Sequence, residues 1–178
     1  DERLIARNAM GLSISTLLGP TPVPQAIAQC EQMLADGVSD RQAESKILCT
    51  LAQLRAMNGE FDPARELYRR GRGLLRELGQ GLNAAFTGID LLMVESLAGD
   101  LAGAEREVRA DYDFLERAGE TYFFSTIAAL LSRIVRDQGR DDEALAYSQT
   151  AERSSAADDV ESQALWRSIR APIIARAG

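Results

Sequence analysis

Apolar residues along this chain return with the rhythm of one helical face. Ile47, Leu48, Leu51 and Leu54 form one such stripe, and Ile127, Leu130, Leu131 and Ile134 form another. No segment alternates apolar and polar positions as a half-buried strand would. The pattern predicts nine helices, at about 2–18, 24–36, 40–58, 62–79, 82–98, 101–118, 121–138, 141–156 and 160–176. Pro172 falls inside the last of these and predicts a kink or an early stop there.

The stripes also repeat at long range. LAQLRAMNGEFDPARELY from Leu51, LLMVESLAGDLAGAEREV from Leu91 and LSRIVRDQGRDDEALAYS from Leu131 superimpose without gaps at a spacing of 40 residues. Leu54, Val94 and Ile134 then share a column, as do Gly59, Gly99 and Gly139, and Ala64, Ala104 and Ala144. A glycine after an apolar helix can take the left-handed conformation that closes it. Asp62, Asp141, Asp142 and Glu143 suit the start of a second helix, and so does Pro63 in its first turn. The alanine lets the two antiparallel helices approach closely. Leu67, Tyr68, Leu74, Leu75 and Leu78 continue the second helix's buried stripe in one unit, and Val108, Tyr112, Phe114 and Leu115 continue it in the next.

Both ends are weaker copies. Gly19 and Ile14 fall 40 residues before Gly59 and Leu54, but the turn GPTPVPQAIAQC carries three prolines before Ala26. At the other end VESQALWRSIRAPIIARAG reads as a lone first helix ending at Gly178. The expected architecture is all-α: a right-handed α-solenoid of antiparallel helix pairs, with roughly four and a half repeats. It is expected as a single domain over 1–178, with units at about 1–38, 39–80, 81–119, 120–158 and a partial 159–178. The abrupt opening DERLIARNAM and ending IIARAG lead to the expectation of a fragment of a larger protein.

Composition narrows the chemistry. With 178 residues, 46% of them apolar, the chain can bury a core, and its net charge of −7 argues against a phosphate-neutralising surface. No histidine is present, which removes the commonest general base and metal ligand. Cys30 and Cys49 alone support neither a disulfide framework nor a zinc site, and read as reduced thiols on helices. Lys46 is the only lysine beside nineteen arginines. There is no phosphate-binding G-x-x-x-x-G-K-[ST] loop, and GRGLLRELG, Gly71 to Gly79, has the wrong spacing for a dinucleotide fingerprint. Neither a secretory leader nor an apolar run of the roughly 18 residues needed to span a bilayer is visible, so a soluble cytoplasmic protein is expected. No catalytic residue, cofactor site or metal site is expected.

The G-x-[FL]-x-x-A pattern at Gly59 to Ala64 and Gly99 to Ala104 resembles the helix-turn-helix signature of tetratricopeptide (TPR) repeats; Gly139 to Ala144 departs from it with Asp141 at the apolar position. The 40-residue period exceeds the TPR period of about 34 and lies in the range of HEAT repeats. The tight glycine turn with alanine five residues later is the TPR feature. Two stretches, Asp111 to Ala144 and Asp158 to Gly178, are similar to the C-terminal TPR arms of bacterial proteins that join an adenylate/guanylate cyclase domain to a STAND-type or AAA ATPase domain. That resemblance implies a non-catalytic protein-interaction or scaffold module, or a sensor binding a small effector or peptide. The implied partners are a protein or peptide, including other domains of the same parent, and neither nucleic acid nor membrane.

In a TPR solenoid the first helices line a concave groove. Continuing the register, that face carries Met10, Ser13 and Leu17, then Lys46, Cys49, Gln53 and Met57, then Phe86, Ile89, Asp90 and Met93, and lastly Thr126, Leu130, Arg133 and Asp137. The groove-binding candidates are Lys46, Gln53, Met57, Phe86, Asp90, Met93 and Arg133. The competing reading makes Phe86 and Met93 core residues and pairs Arg133 with Asp90. The cluster Arg69, Arg70, Arg72 and Arg76 reads as a solvated face paired with Glu66 and Glu77. On the last helix Leu165, Ile169, Ile173 and Ile174 are expected to lie uncovered, so self-association through that end is expected.

Overall fold

The computed structural model describes the backbone of residues 2–177 and the side chains of 8–176. Among the described residues the chain is helical throughout, with no strand. The helices are α1 (Glu2–Leu18), α2 (Val23–Ala35), α3 (Arg41–Met57), α4 (Phe61–Glu77), α5 (Gly81–Phe86), α6 (Gly88–Ala98), α7 (Leu101–Ala118), α8 (Tyr122–Asp137), α9 (Asp141–Ser154) and α10 (Val160–Ala177). They divide into two compact units, Asp1–Gly99 and Asp100–Gly178. In the first, α3 is central and packs against α1, α2, α4 and α6; in the second, α8 packs against α7, α9 and α10.

The aligned apolar columns of the sequence are buried. Leu51, Leu91 and Leu131 are buried, as are Leu54, Val94 and Ile134, and Ala64, Ala104 and Ala144 are wholly so. Gly59, Gly99 and Gly139 all have positive φ, at 82°, 76° and 81°. The residues that follow, Glu60, Asp100 and Arg140, share one turn conformation, with φ of −96°, −96° and −98° and ψ of 68° in each.

The period is finer than the sequence reading made it. Gly79 and Gly119 also have positive φ, so left-handed glycines close helices every 20 residues from Gly59 to Gly139. At Gly59, Gly79, Gly119 and Gly139 the glycine N–H bonds a carbonyl three residues back, and the next N–H reaches five residues back, as with Glu60 N to Arg55 O at 2.9 Å. That pair of bonds is the Schellman closure, which uses up orphan carbonyls and needs the left-handed residue. Four of the five glycine-closed helices from Gly59 to Gly139 therefore share one ending.

Three helices, α3, α7 and α8, start on polar caps. The Asp40 and Asp100 carboxylates accept from Ala43 N and Gly103 N, both at 2.8 Å, and Glu120 accepts from the backbone of Tyr122, Phe123 and Phe124. Helix pairs cross where side chains are small. In the first unit Ser45 Oγ donates to Gly71 O at 2.7 Å, and a methyl on Gly71 would stand 2.9 Å from Cys49 Sγ. In the second, Ser132 Oγ donates to Ala144 O at 2.6 Å.

Several expectations change. The predicted fifth helix is two, α5 and α6, parted at Thr87. The Thr87 hydroxyl donates to Ala84 O at 2.7 Å, and Asp90 N reaches Thr87 O only three residues back. Such local bonding competes with the α-helical ladder, and Gly88 lowers helix propensity at the same point. Pro172 does not end α10. In the weak first copy Ile14 is exposed while Ser13 and Thr16 face inward. Leu78 and Phe114 are exposed rather than part of a stripe. Ile169 and Ile173 are buried, and with Trp166 they belong to the α10 face laid on α8 and α9, where Ile169 and Trp166 pack on Ala128, Ala129 and Ala151. Ile174 alone of the four residues predicted to lie uncovered is exposed. Gly178, predicted to end the last helix, lies outside the described residues.

Candidate functional site

The first unit holds a pocket of about 170 Å³ between α1, α3, α4, α5 and α6. Helical spacing builds it. Gln42, Ser45, Lys46 and Cys49 are successive members of one face of α3, and Asn83, Phe86, Thr87 and Asp90 continue such a face across the α5–α6 break. Met10, Leu75 and Ile89 complete an apolar lining.

Asp90 is the fixed charge of the pocket. It is 6% exposed, and its Oδ1 accepts from Gln53 Nε2 at 2.7 Å. The Lys46 ammonium stands 3.6 Å from the same oxygen with one third of its side chain exposed. Burial pushes the Asp90 carboxyl above the usual carboxylate range, against the pull of Lys46 and the hydrogen bonds from Gln53 and Cys49. Burial also raises the Cys49 thiol well above its ordinary value, and the Asp90 charge adds to that. The Cys30 thiol is pushed up to about 11, chiefly by burial and then by Glu31. Both cysteines are free, buried and held as unreactive thiols.

Of the predicted residues, Lys46, Phe86 and Asp90 line the pocket, and Gln53 braces Asp90 from behind. Met57 is exposed on α3 and Met93 half-buried on α6, neither in the lining. Arg133 is half-buried on α8 in the second unit. Asp90 is held within its own unit by Lys46 and Gln53. Gln42, Ser45, Leu75, Asn83 and Thr87 join the site without having been singled out. Position 42 was accessible through its four-residue spacing from Lys46, and position 45 through the same spacing from Cys49.

The arginine cluster separates. Arg69, Arg70 and Arg76 are exposed, Arg69 pairing with Glu66 and Arg70 with Glu44 at 2.7 Å, while Glu77 pairs with Arg41 at 2.6 Å. Arg72 is instead buried, and donates to the Tyr68 hydroxyl at 2.6 Å. Its position on the inner face of α4 excludes it from a solvated surface.

The second unit has a closed charge network in place of a lysine pocket. Glu105 on α7 accepts from Arg109 at 2.6 Å and from Arg140 at 2.5 Å, and Glu143 accepts from the same two arginines at 2.8 Å each. Arg109 also reaches the Tyr147 hydroxyl and stacks over its ring.

Among the described residues no group of three or more Cys, Asp or Glu could hold a metal ion, and no helix is long and apolar enough to cross a membrane. No protein-family model matches the chain, and no curated protein matches it either.

Proposed function

We propose that this chain is a non-catalytic protein-interaction module, a TPR-like arm regulating a multidomain bacterial signalling protein built on an ATPase or a nucleotide cyclase. The observation that carries this reading is the Lys46–Asp90 pocket on the first-helix face. At about 170 Å³ it is smaller than the roughly 300–1,000 Å³ that encloses a drug-sized ligand, and matches one inserted side chain. Its mixed lining suits an anchor residue on a partner helix or peptide: Met10, Phe86 and Ile89 give apolar contact, and Lys46 and Asp90 give polarity. The repeat columns support a TPR-like frame that presents this face.

Titration of the chain with the isolated ATPase and cyclase domains of its parent is the direct test. Binding in the micromolar range that weakens at least tenfold in Ile89→Asp supports the reading. No binding to either domain would sink it. A second reading, a sensor of a small effector, draws on the buried carboxylate facing the same pocket. A ligand of that kind raises the melting temperature by mass action, which a thermal-shift screen reads.

A further inference from the structure

Three of the pocket's neutral polar groups send hydrogens to partners outside the lining. Ser45 Oγ donates to Gly71 O at 2.7 Å and Thr87 Oγ1 donates to Ala84 O at 2.7 Å. Asn83 Nδ2 donates to Gln80 Oε1 at 3.0 Å. What these side chains keep for a guest is two hydroxyl oxygens, one amide carbonyl and the second Asn83 N–H, beside the Gln42 amide at the rim. Asp90 adds a carboxylate at the floor. The wall thus offers several acceptors, and the one cationic donor in the lining is the Lys46 ammonium.

That ammonium is loosely held. A charge-assisted N–H···O bond is normally about 2.7–2.9 Å long, whereas Lys46 Nζ is 3.6 Å from Asp90 Oδ1. Its side chain is one third exposed, so the ammonium can rotate into water without stranding a charge; Asp90, at 6% exposure, cannot leave. Lysine is suited to this role because its charge is compact and sits on a flexible stem. Every other basic residue of the chain is arginine. Arg72, the buried cation nearby, donates to Tyr68 and is not part of the lining.

We infer that the pocket is a receptor for a primary alkylammonium group, with Lys46 as an internal occupant that the incoming ammonium replaces beside Asp90. The guest's three N–H donors meet Asp90 and the lone pairs of Thr87 and Asn83, and its alkyl stem lies against Met10, Phe86 and Ile89. This rests on the partner-binding reading and specifies its anchor as a lysine side chain; a free alkylamine offers the same head group.

The test is a two-dimensional NMR titration of the full chain at pH 8, following the amides of Asn83, Thr87 and Asp90. The probes are n-butylammonium, butyrate, a helical peptide with one lysine, and the same peptide with norleucine in its place. Expected are weak saturable binding of the lysine peptide, about tenfold tighter binding in Lys46→Met once the internal competitor is gone, and loss of binding in the near-isosteric Asp90→Asn. Circular dichroism and melting confirm that both variants fold. Butylammonium binding as well as the peptide supports the inference with a free amine as sufficient guest, and binding of the peptide alone supports it with a partner's side chain as the source. Butyrate binding abolished by Lys46→Met, or norleucine equal to lysine, overturns the ammonium while leaving partner binding intact. Silence from all four probes overturns it too, and the parent-domain titration then decides the partner reading separately.

Discussion

The two units use the same helix-closing glycines and the same buried columns, yet they treat charge in opposite ways. In the first, Glu95 is buried and held by Arg65, but Asp90 is buried beside a single loosely placed ammonium, and a pocket remains open around it. In the second, Glu105 and Glu143 are each held by Arg109 and Arg140, closing a four-member ring between α7 and α9. A repeat scaffold specifies its columns and leaves the faces between them to vary. Geometry therefore separates a buried carboxylate with a loosely placed cation from a network whose charges are closely paired.

The equivalence of the columns has the largest predicted consequence. Leu54→Ala and Ile134→Ala remove side chains that are 1% and 0% exposed, and each should cost about 2–5 kcal/mol in urea denaturation. Native-state hydrogen exchange should lose protection within the mutated unit first. A cost under about 1 kcal/mol at either position would break the equivalence.

Next in size is the crossing beneath the pocket. A methyl on Gly71 would meet Cys49 Sγ at 2.9 Å, Ser45 O at 3.0 Å and Leu48 Cβ at 3.2 Å, so Gly71→Ala should destabilise by about 1–3 kcal/mol. Two residues on, a methyl on Gly73 would meet nothing within 4 Å, and Gly73→Ala should stabilise α4 by about 0.5–1 kcal/mol. Opposite signs in thermal melts are the expected result. Equal signs would mean that α3 and α4 have room to part.

Glu105→Gln probes the second unit. It removes the charge that Arg109 and Arg140 share with Glu143, and because both arginine side chains are more than a third exposed the cost should be on the order of 1 kcal/mol and shrink in salt. A loss that salt leaves unchanged would point to packing instead.

How much of this was legible depends on whether a residue's role is local. The columns of Leu51, Gly59 and Ala64 were readable because helix phase, closure and close approach are properties of sequence spacing. Gly79 and Gly119 were readable too, since they stand at the half-period, but a 40-residue register hides them. The break at Thr87 depends on a hydroxyl choosing Ala84 O over solvent, which spacing does not encode. Arg72 looked like its neighbours Arg69 and Arg70, and only the angular position around α4 buries it. The acceptor character of the pocket was out of reach, because it depends on where Ser45, Thr87 and Asn83 send their hydrogens. In α1 the repeat phase placed Ile14 inward, and the packing put Ser13 and Thr16 there instead.

Acid should separate the units with the smallest effect of the four and the sharpest sign. Burial works against the Glu105 charge, but hydrogen bonds from Arg109, Arg140 and Gln138 win and hold its carboxyl below the usual range. Its contribution is then present above the unfolded carboxylate value of about 4.3 and is lost as pH falls through the lower folded value. Asp90 runs the other way: burial, outweighing Lys46, raises its carboxyl, so the folded state takes up a proton before the unfolded chain does. Between neutral pH and about 4, falling pH should therefore strengthen the surroundings of Asp90, and only below that range should the α7–α9 network weaken. Glu60, lowered by its hydrogen bond from Asn58 and then by Arg55, makes the first unit lose ground as well, but in the lower window. Exchange protection of α3 and α6 amides, followed from pH 7 to 4, should rise in the wild type and stay flat in Asp90→Asn. The same profile in both proteins would mean that Asp90 takes up no proton in that range, and the contrast between the two carboxylates would be lost.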